Sequence, residues 1–474
     1  MRLDAILPAT GAAASVEISA LAYDNRLVVP GTLFFCVPGF TRDGHDFAPD
    51  AMARGAAALV VERGLDLPLP QVQVADVRAA MAGAAAAFFG DPTRDLALSA
   101  VTGTNGKTTT AYLLRSLLEA DGRQTGLLGT VKSVIGGVED DVLRTTPEAI
   151  DLQHSFRQML EGGDVAAVIE ASSHALELHR VDAIHFQAAI FTNLTQDHLD
   201  FHLTMEEYFN AKRKLFTELA PARSIINLDD TYGGRLAAEL GDAITFAIND
   251  ATATYQALEV ETGLHGTSFK LRGPDGDHPI TSPLRGLFNV SNLLGAIAAA
   301  KSLGLAHETI AAAIAHAPQV PGRFQTVDEG QPFAVIVDYA HTPDSLENVL
   351  KAARGLTDKR LHVVFGCGGD RDRMKRPLMG EIGARLADRV VVTSDNPRSE
   401  DPEAIIEEIL AGIDKPVHYE VDRRLAIANA IAEAAAGDVV VVAGKGHEQG
   451  QEFTGANKLP FDDVTVVREA LRGR

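Results

Sequence analysis

The amino-acid sequence predicts an α/β protein of three domains, and three observations predict it. Apolar strand-like runs alternate with Ala-rich helix-like stretches along nearly all of the 474 residues, the pattern of layered folds with largely parallel sheets. At about 150 residues per domain, this length corresponds to three domains. A glycine-rich loop, TGTNGKTTT at residues 102–110, joins a strand-like run to a helix-like one, and later strands end in polar or glycine-rich turns, where open α/β sheets bind ligands.

The first domain, residues 1–96, pairs LFFCVPG (33–39) with ALVVE (58–62) and ends in a helical stretch at 79–89. It reads as a small α/β module. DPTRD (91–95) supplies a proline-containing turn before a new strand. The second domain, residues 97–321, carries four candidate core strands: LSAVTG, VAAVIEASS, AAIFTNL and RSIINLDD. From 253 to 283 the chain becomes Thr- and Gly-rich with short alternating runs, which predicts an antiparallel appendage. The turn APQVPGRFQ (317–325) precedes the third domain, residues 322–474, whose runs FAVIVDYA, LHVVFGCGG, RVVVTSD and VVVVAGKG predict a second doubly wound, Rossmann-like sheet.

Composition narrows the function. Lys and Arg total 43 against 64 Asp and Glu, a formal charge of −21. That balance argues against a nucleic-acid partner, which favours a basic footprint. The two cysteines, Cys36 and Cys367, are too few for a disulfide framework and lack zinc-type spacing. No run of about 18 apolar residues occurs and the N-terminus lacks a signal pattern, so a soluble cytoplasmic protein without membrane insertion is expected. A monomer is expected.

The 102–110 loop carries the strongest chemistry. Gly103 and Gly106 let the backbone wrap a phosphate, and the following helix N-terminus presents unpaired N–H groups. Lys107 neutralises the β/γ-phosphates and the Thr108 hydroxyl can ligate Mg²⁺. The loop Gly103, Thr104, Asn105, Gly106, Lys107, Thr108 and Thr109 is therefore expected to bind ATP or GTP. Glu170 ends the next core strand, where a second metal ligand or a local cap belongs. His198, in NLTQDHLDFH, is either a metal ligand or a structural histidine. In MEEYFNAKRKLFTEL, Lys212 shares the helical stripe of Tyr208, Leu215 and Leu219, while Arg213 and Lys214 point away. An inward lysine can snorkel or pair with a carboxylate. Burial also lowers its pKa, and a neutral amine can take up CO₂ as a carbamate, an anionic metal ligand.

Together these residues resemble the Mur ligase family, which builds the peptidoglycan precursor by ATP-driven amide formation. The resemblance covers the GTNGKTT loop, Glu170, NLTQDHLD, AKRKLF, GLFNVSN (286–292), PGRF (321–324) and VDYAHTPDSL (337–346), in family order. It implies an N-terminal uridine-binding domain, a central P-loop ATPase domain and a C-terminal domain that brings the amino acid. It also implies that Lys212 is carbamylated, that Thr108, Glu170, His198 and Lys212 serve Mg²⁺, and that Asn292, Arg323, Asp338 and His341 attend ATP. Lys107, Lys212, His198 and Glu170 are then the catalytic group.

The segment from Asp24 to Phe47 is similar to the uridine-binding region of the branch acting on UDP-MurNAc-L-Ala-D-Glu. Asn25 stands where that branch commonly has Ser. Thr145, Thr146, Ser172 and Arg180 are implied contacts of the muramoyl dipeptide; Leu178 replaces an amide side chain frequent in relatives. DNPR (395–398) resembles the signature of ligases that add meso-diaminopimelate. A guanidinium receives that acceptor's second carboxylate through paired hydrogen bonds, which suits Arg398 and Arg371. Asp395, Glu448 and the backbone near Gly444 can hold the distal ammonium, Asn396 adds neutral donors and acceptors, and Pro397 belongs to the same acceptor-binding group. A lysine acceptor would leave Arg398 buried and unpaired. DNPR also reads as the turn before a helix starting near Asp401 and Pro402. The competing readings are a lysine-adding ligase, a folylpolyglutamate synthetase-like ligase, and a nucleotide-gated binding protein.

Overall fold

The computed structural model describes residues 1–9, 13–142, 144–263 and 266–474. The chain divides into two compact units. One comprises Met1–Thr102, Asp121–Ile190 and Asn210–Ser224; the other comprises Gly103–Ala120, Phe191–Phe209 and Ile225–Arg474.

The first unit begins with a four-stranded parallel sheet of β1 (Ala20–Ala22), β2 (Thr32–Phe35), β3 (Ala56–Val61) and β4 (Gln71–Gln73), in that order. Alternate residues of a strand face opposite sides. Leu33, Phe35, Ala58 and Val60 pack with Val77, Met81 and Ala85 of the Val77–Phe88 helix, while Phe34, Cys36, Leu59 and Val61 form a second cluster with Ala48 and Ala51. Burial on both faces explains why these strands read as unbroken apolar runs.

The same unit holds β5 (Ala97–Thr102), β6 (Thr125–Leu128), β7 (Ser133–Ile135), β8 (Val138–Asp140), β9 (Ala166–Glu170) and β10 (Ala188–Phe191), ordered β10-β5-β9-β6-β7-β8. Strands β5, β9 and β6 are parallel, and β7 and β8 add an antiparallel edge. The core strand β6 was not among the four expected runs. Its Gly126 weakens the strand signal, and packing requires it: a Cβ there would lie 2.5 Å from Met159 Sδ on the Ala149–Glu161 helix.

In the second unit, β11 (Ser224–Asn227), β12 (Ile244–Ala247) and β13 (Tyr255–Gly263) run parallel, then β14 (Gly266–Gly273) and β15 (Gly276–Ser282) meander antiparallel. This meander is the expected appendage; residues 264–265, also within that expectation, lie outside the described residues. The Leu287–Ser302 helix packs on the Lys107–Ala120 helix and is apolar nearly all round, with Val290, Leu293, Leu294 and Ile297 fully buried.

The C-terminal sheet contains β16 (Gln325–Val327), β17 (Ala334–Asp338), β18 (Leu361–Phe365), β19 (Arg389–Thr393), β20 (His418–Glu420) and β21 (Val439–Ala443), ordered β16-β17-β21-β18-β19-β20. All neighbours are parallel except β16 and β17. The insertion of β21 between β17 and β18 sets the C-terminal ends of β17, β21, β18 and β19 side by side, so the turns after them share one sheet edge. A hairpin of β22 (Gly450–Phe453) and β23 (Asn457–Pro460) follows. Among the described residues, no helix is long and apolar enough to cross a membrane.

Candidate active site

The loop after β5 is shaped by glycines that nothing else can replace. Gly103 and Gly106 have φ of 147° and 84°. A Cβ on Gly103 would lie 1.9 Å from Thr192 Oγ1, and one on Gly106 would lie 2.3 Å from Asn292 Oδ1. Residues 192–195 strap the loop: Asn105 N donates to Asn193 Oδ1 at 2.9 Å, Thr192 Oγ1 donates to Asn105 O at 2.6 Å, and Thr195 N donates to Thr104 Oγ1 at 3.0 Å. Lys107 Nζ donates to Gly103 O at 2.9 Å and Thr104 O at 2.8 Å, which folds its ammonium over the loop. The loop is thus preorganised for an anion.

Beside it lies a cavity of about 240 Å³ lined by Asn105, Gly106, Thr109, Asn292, Arg323, Asp338 and His341, all predicted nucleotide residues. Arg323 Nη2 donates to Thr108 Oγ1 at 3.2 Å, its guanidinium lies 4.5 Å from the Tyr339 ring centroid, and its buried Nε has no hydrogen-bond partner among the described residues. A buried donor left over in this way suits an arriving phosphate. Asp338 accepts from Phe324 N at 2.6 Å and Ala340 N at 2.8 Å; burial raises its carboxyl pKa, with Arg323 opposing. Burial, with Lys375, lowers the His341 pKa, with Asp197 opposing.

Sequence reasoning missed other members of this site. Asp344 accepts from Asn105 Nδ2 at 2.7 Å and Thr195 Oγ1 at 3.2 Å, and Phe288, Tyr339 and Asn348 also line the cavity. Phe288 lies inside the quoted segment GLFNVSN, and Tyr339 and Asp344 inside VDYAHTPDSL, so the signal was present while their roles were not.

The implied metal residues are placed on separate elements. Glu170, 1% exposed at the end of β9, accepts from Thr130 N at 2.7 Å and Thr130 Oγ1 at 2.9 Å. His198 adopts φ 55°, a left-handed conformation uncommon outside glycine, with Nε2 3.4 Å from Asp197 Oδ2. Lys212 lies in the Met205–Thr217 helix and is 1% exposed; Tyr208 and Leu215 are buried with it, as the helical stripe predicts, whereas Leu219 lies beyond the helix end and is only half-buried. Lys214 turns outward to pair with Glu177 at 2.7 Å. Among the described residues, no three His, Cys, Asp or Glu side chains form a metal cage. By chemistry alone, the Thr108 hydroxyl and the Glu170 carboxylate are hard oxygen donors of the kind Mg²⁺ takes beside its waters and substrate phosphate oxygens.

In the first unit the structure gathers four predicted dipeptide residues. Thr145 Oγ1 lies 3.1 Å from Thr130 Oγ1, Thr146 Oγ1 donates to Ser172 Oγ at 3.2 Å, and Arg180 Nη1 donates to Thr146 O at 3.1 Å. Arg180 also pairs with buried Glu148 at 2.9 Å. Arg78 and Arg144, which sequence reasoning passed over, reach the same carboxylate at 3.2 Å and 2.9 Å. Three guanidiniums around one carboxylate leave an excess of positive charge suited to an anionic substrate. Asn25 is not part of this group: its Nδ2 donates to Asp50 Oδ2 at 2.7 Å.

The turns after β18, β19 and β21 converge as expected. Asp401 caps the Pro402–Leu410 helix by accepting from Glu403 N at 3.0 Å, which fixes the end of the DNPR turn. A Cβ on Gly368 would lie 2.9 Å from Arg398 Nη1 and 3.8 Å from Arg371 Cγ, so both arginines flank one point. Asn396 Nδ2 donates to Glu448 Oε2 at 2.8 Å, Pro397 is buried, and a Cβ on Gly444 would lie 2.6 Å from Asp395 Oδ2. The expectation that a lysine acceptor would leave Arg398 buried and unpaired fails on both counts: Arg398 is half-buried, its Nε donates to Glu452 Oε2 at 2.9 Å and its Nη1 to Gly369 O at 2.9 Å. The β22–β23 hairpin delivers Glu452, a contact 54 positions away that no local pattern announces. Lys445, also overlooked, lies buried beneath these groups.

Three segments match family models: residues 17–89 match "Mur ligase family, catalytic domain", 101–300 "Mur ligase middle domain", and 322–446 "Mur ligase, glutamate ligase domain". The chain is 48% identical over 472 residues to a UDP-N-acetylmuramoyl-L-alanyl-D-glutamate--2,6-diaminopimelate ligase of Geobacillus kaustophilus, covering 97% of this chain and 96% of the relative. It is 48% identical over 487 residues to the Gloeobacter violaceus protein of the same name, covering 100% and 99%. A solved structure bearing that name superposes with a TM-score of 0.73 at 34% identity, covering 100% of this chain and 99% of the other. Full-length similarity at this level, over a three-domain α/β fold with the phosphate loop in place, shows that the chain belongs to the Mur ligase family.

Proposed function

We propose that the chain is an ATP-dependent ligase that joins meso-2,6-diaminopimelate to the D-Glu γ-carboxylate of UDP-MurNAc-L-Ala-D-Glu in cytoplasmic peptidoglycan precursor synthesis. The observation that carries this reading is the near-full-length identity of 48% to relatives named for that reaction. Residues 1–96 would bind the UDP sugar, 97–321 ATP and 322–474 the amino acid, in a monomer.

A carboxylate is a poor acyl donor because oxide would have to leave. Attack of the γ-carboxylate on the ATP γ-phosphate gives an acyl phosphate and ADP; the acceptor amine then displaces phosphate and forms the amide. Lys107 stabilises charge on the transferring phosphoryl group, with Arg323 beside it, and the glycine-rich loop holds the other phosphates in line. Mg²⁺, held through Thr108, Glu170, His198 and a carbamate on Lys212, would neutralise charge on the phosphate oxygens. Thr145, Thr146, Ser172 and Arg180 orient the dipeptide, with Asn25 toward the uridine. Arg371 and Arg398 take the acceptor's distal carboxylate, while Asp395, Asn396 and Glu448 take its ammonium. Positioning supplies most of the rate enhancement.

The test is ADP release and product mass with UDP-MurNAc-L-Ala-D-Glu, ATP and Mg²⁺, with each acceptor offered separately. Tripeptide product with diaminopimelate supports the proposal. Product with lysine alone would favour the lysine-adding reading. Glutamate addition to a folate would favour the folate-ligase reading, and nucleotide binding without substrate-dependent ADP formation a binding protein.

A further inference from the structure

A lysine without exposed surface lies under the acceptor turns and has no part in the mechanism above. Lys445 follows β21, and its side chain is 0% exposed. Its Nζ donates to Asn396 Oδ1 at 2.7 Å and to Glu448 Oε2 at 3.0 Å, and lies 3.6 Å from Asp395 Oδ1. All three partners are groups assigned to the acceptor's ammonium.

Two properties follow. An amide can face either way, but an ammonium has only donors. Lys445 Nζ and Glu452 N, the latter at 3.0 Å, both aim at Asn396 Oδ1, and this turns Nδ2 toward Glu448 Oε2 at 2.8 Å. The second property is charge. Asp395, Glu448 and Asp463 face Lys445 and Arg423, which is fully buried with Nη2 2.7 Å from Asp463 Oδ2. With every group ionised, the cluster carries one carboxylate more than its cations, the complement of a single ammonium.

We infer that Lys445 is the positioning residue of the acceptor site: it orients the Asn396 amide and the Glu448 carboxylate and balances one of two acidic groups, so that the site admits one cationic group. The inference rests on the diaminopimelate reading.

The test is steady-state kinetics of full-length wild type, K445M and K445R, varying each substrate in turn, with thermal melts to verify folding. Wild-type turnover of diaminopimelate comes first, because its absence overturns the ligase reading itself and not the role of Lys445. Removing one partner of a buried charge pair strands the other. K445M is therefore expected to raise KM for diaminopimelate about tenfold or more, with kcat within about threefold and the other two KM values within about twofold. K445R keeps the charge and the fold, yet its planar fork does not reproduce the contacts of a point ammonium, so about a threefold rise confined to the acceptor KM is expected. If K445M does not fold, K445R carries the test. An acceptor KM unchanged in the folded variants, or a parallel rise in all three KM values, would overturn the inference.

Discussion

Arg323 Nη2 donates to the Thr108 hydroxyl at 3.2 Å, joining the PGRF turn to the phosphate loop across 215 positions of sequence. The bond occupies a lone pair of the hydroxyl expected to serve the metal, and the buried Arg323 Nε awaits an acceptor. Nucleotide binding should transfer the guanidinium from Thr108 to phosphate oxygens. Arg323→Ala is expected to raise KM for ATP about tenfold or more while leaving KM for the amino acid within about twofold, read by ADP release.

Lys107 is tied to the carbonyls of Gly103 and Thr104. These bonds hold the ammonium over the loop, where the proposed nucleotide phosphates would arrive, so Lys107→Ala should retain the fold and lose catalysis. A fall in kcat of about a thousandfold, with an unchanged melting temperature, is the expected outcome. A fall below tenfold would contradict the assigned role.

Lys212 is expected to be carbamylated. Activity of carbonate-depleted enzyme should then recover on addition of bicarbonate, and a ¹³C carbamate resonance should be present after equilibration with ¹³CO₂ and absent in Lys212→Ala. Full activity with an unmodified amine would remove the carbamate from the account.

The 368–371 turn that carries Arg371 is held by an ion pair. Arg376, fully buried, pairs with Glu400 at 2.8 Å, and Asp370 N donates to the same carboxylate at 2.6 Å. The Arg376 guanidinium brings the Glu400 pKa from 4.5 down to about 2. An unfolded chain takes up this proton near the ordinary value and the folded chain only near the lowered one. The stabilisation is therefore complete above pH 4.5 and lost as pH falls through about 2. Glu400→Gln should melt about 2–5 °C below wild type at pH 7, with the difference shrinking as the pH approaches that lower value. A pH-independent difference would contradict the pairing.

What the sequence discloses is local. The phosphate loop is a contiguous motif in a strand-loop-helix context, and the burial of Lys212 follows from its spacing to Tyr208 and Leu215. The start of the Pro402–Leu410 helix follows from Asp401 and Pro402. What escapes is either masked or distant. Gly126 hides β6 because close packing on Met159 replaces a strand signal with a glycine. The Glu452–Arg398 pair and the grouping of Arg78, Arg144 and Arg180 around Glu148 depend on the chain path between them, and neither has a period or spacing to read.

The Glu452 partner also sharpens the question of acceptor choice. If Arg398 receives the distal carboxylate as proposed, diaminopimelate would compete with Glu452 for it, whereas lysine would leave that internal pair undisturbed, so the proposed selectivity would rest on Arg371 and Arg398 acting together on one carboxylate. The most direct measurement is kcat/KM for meso-diaminopimelate and L-lysine, with product mass, in wild type and Arg398→Ala. The account predicts a wild-type preference for diaminopimelate of about a hundredfold or more, reduced at least tenfold by the substitution. Equal use of both acceptors by wild type, or a preference untouched by Arg398→Ala, would contradict it.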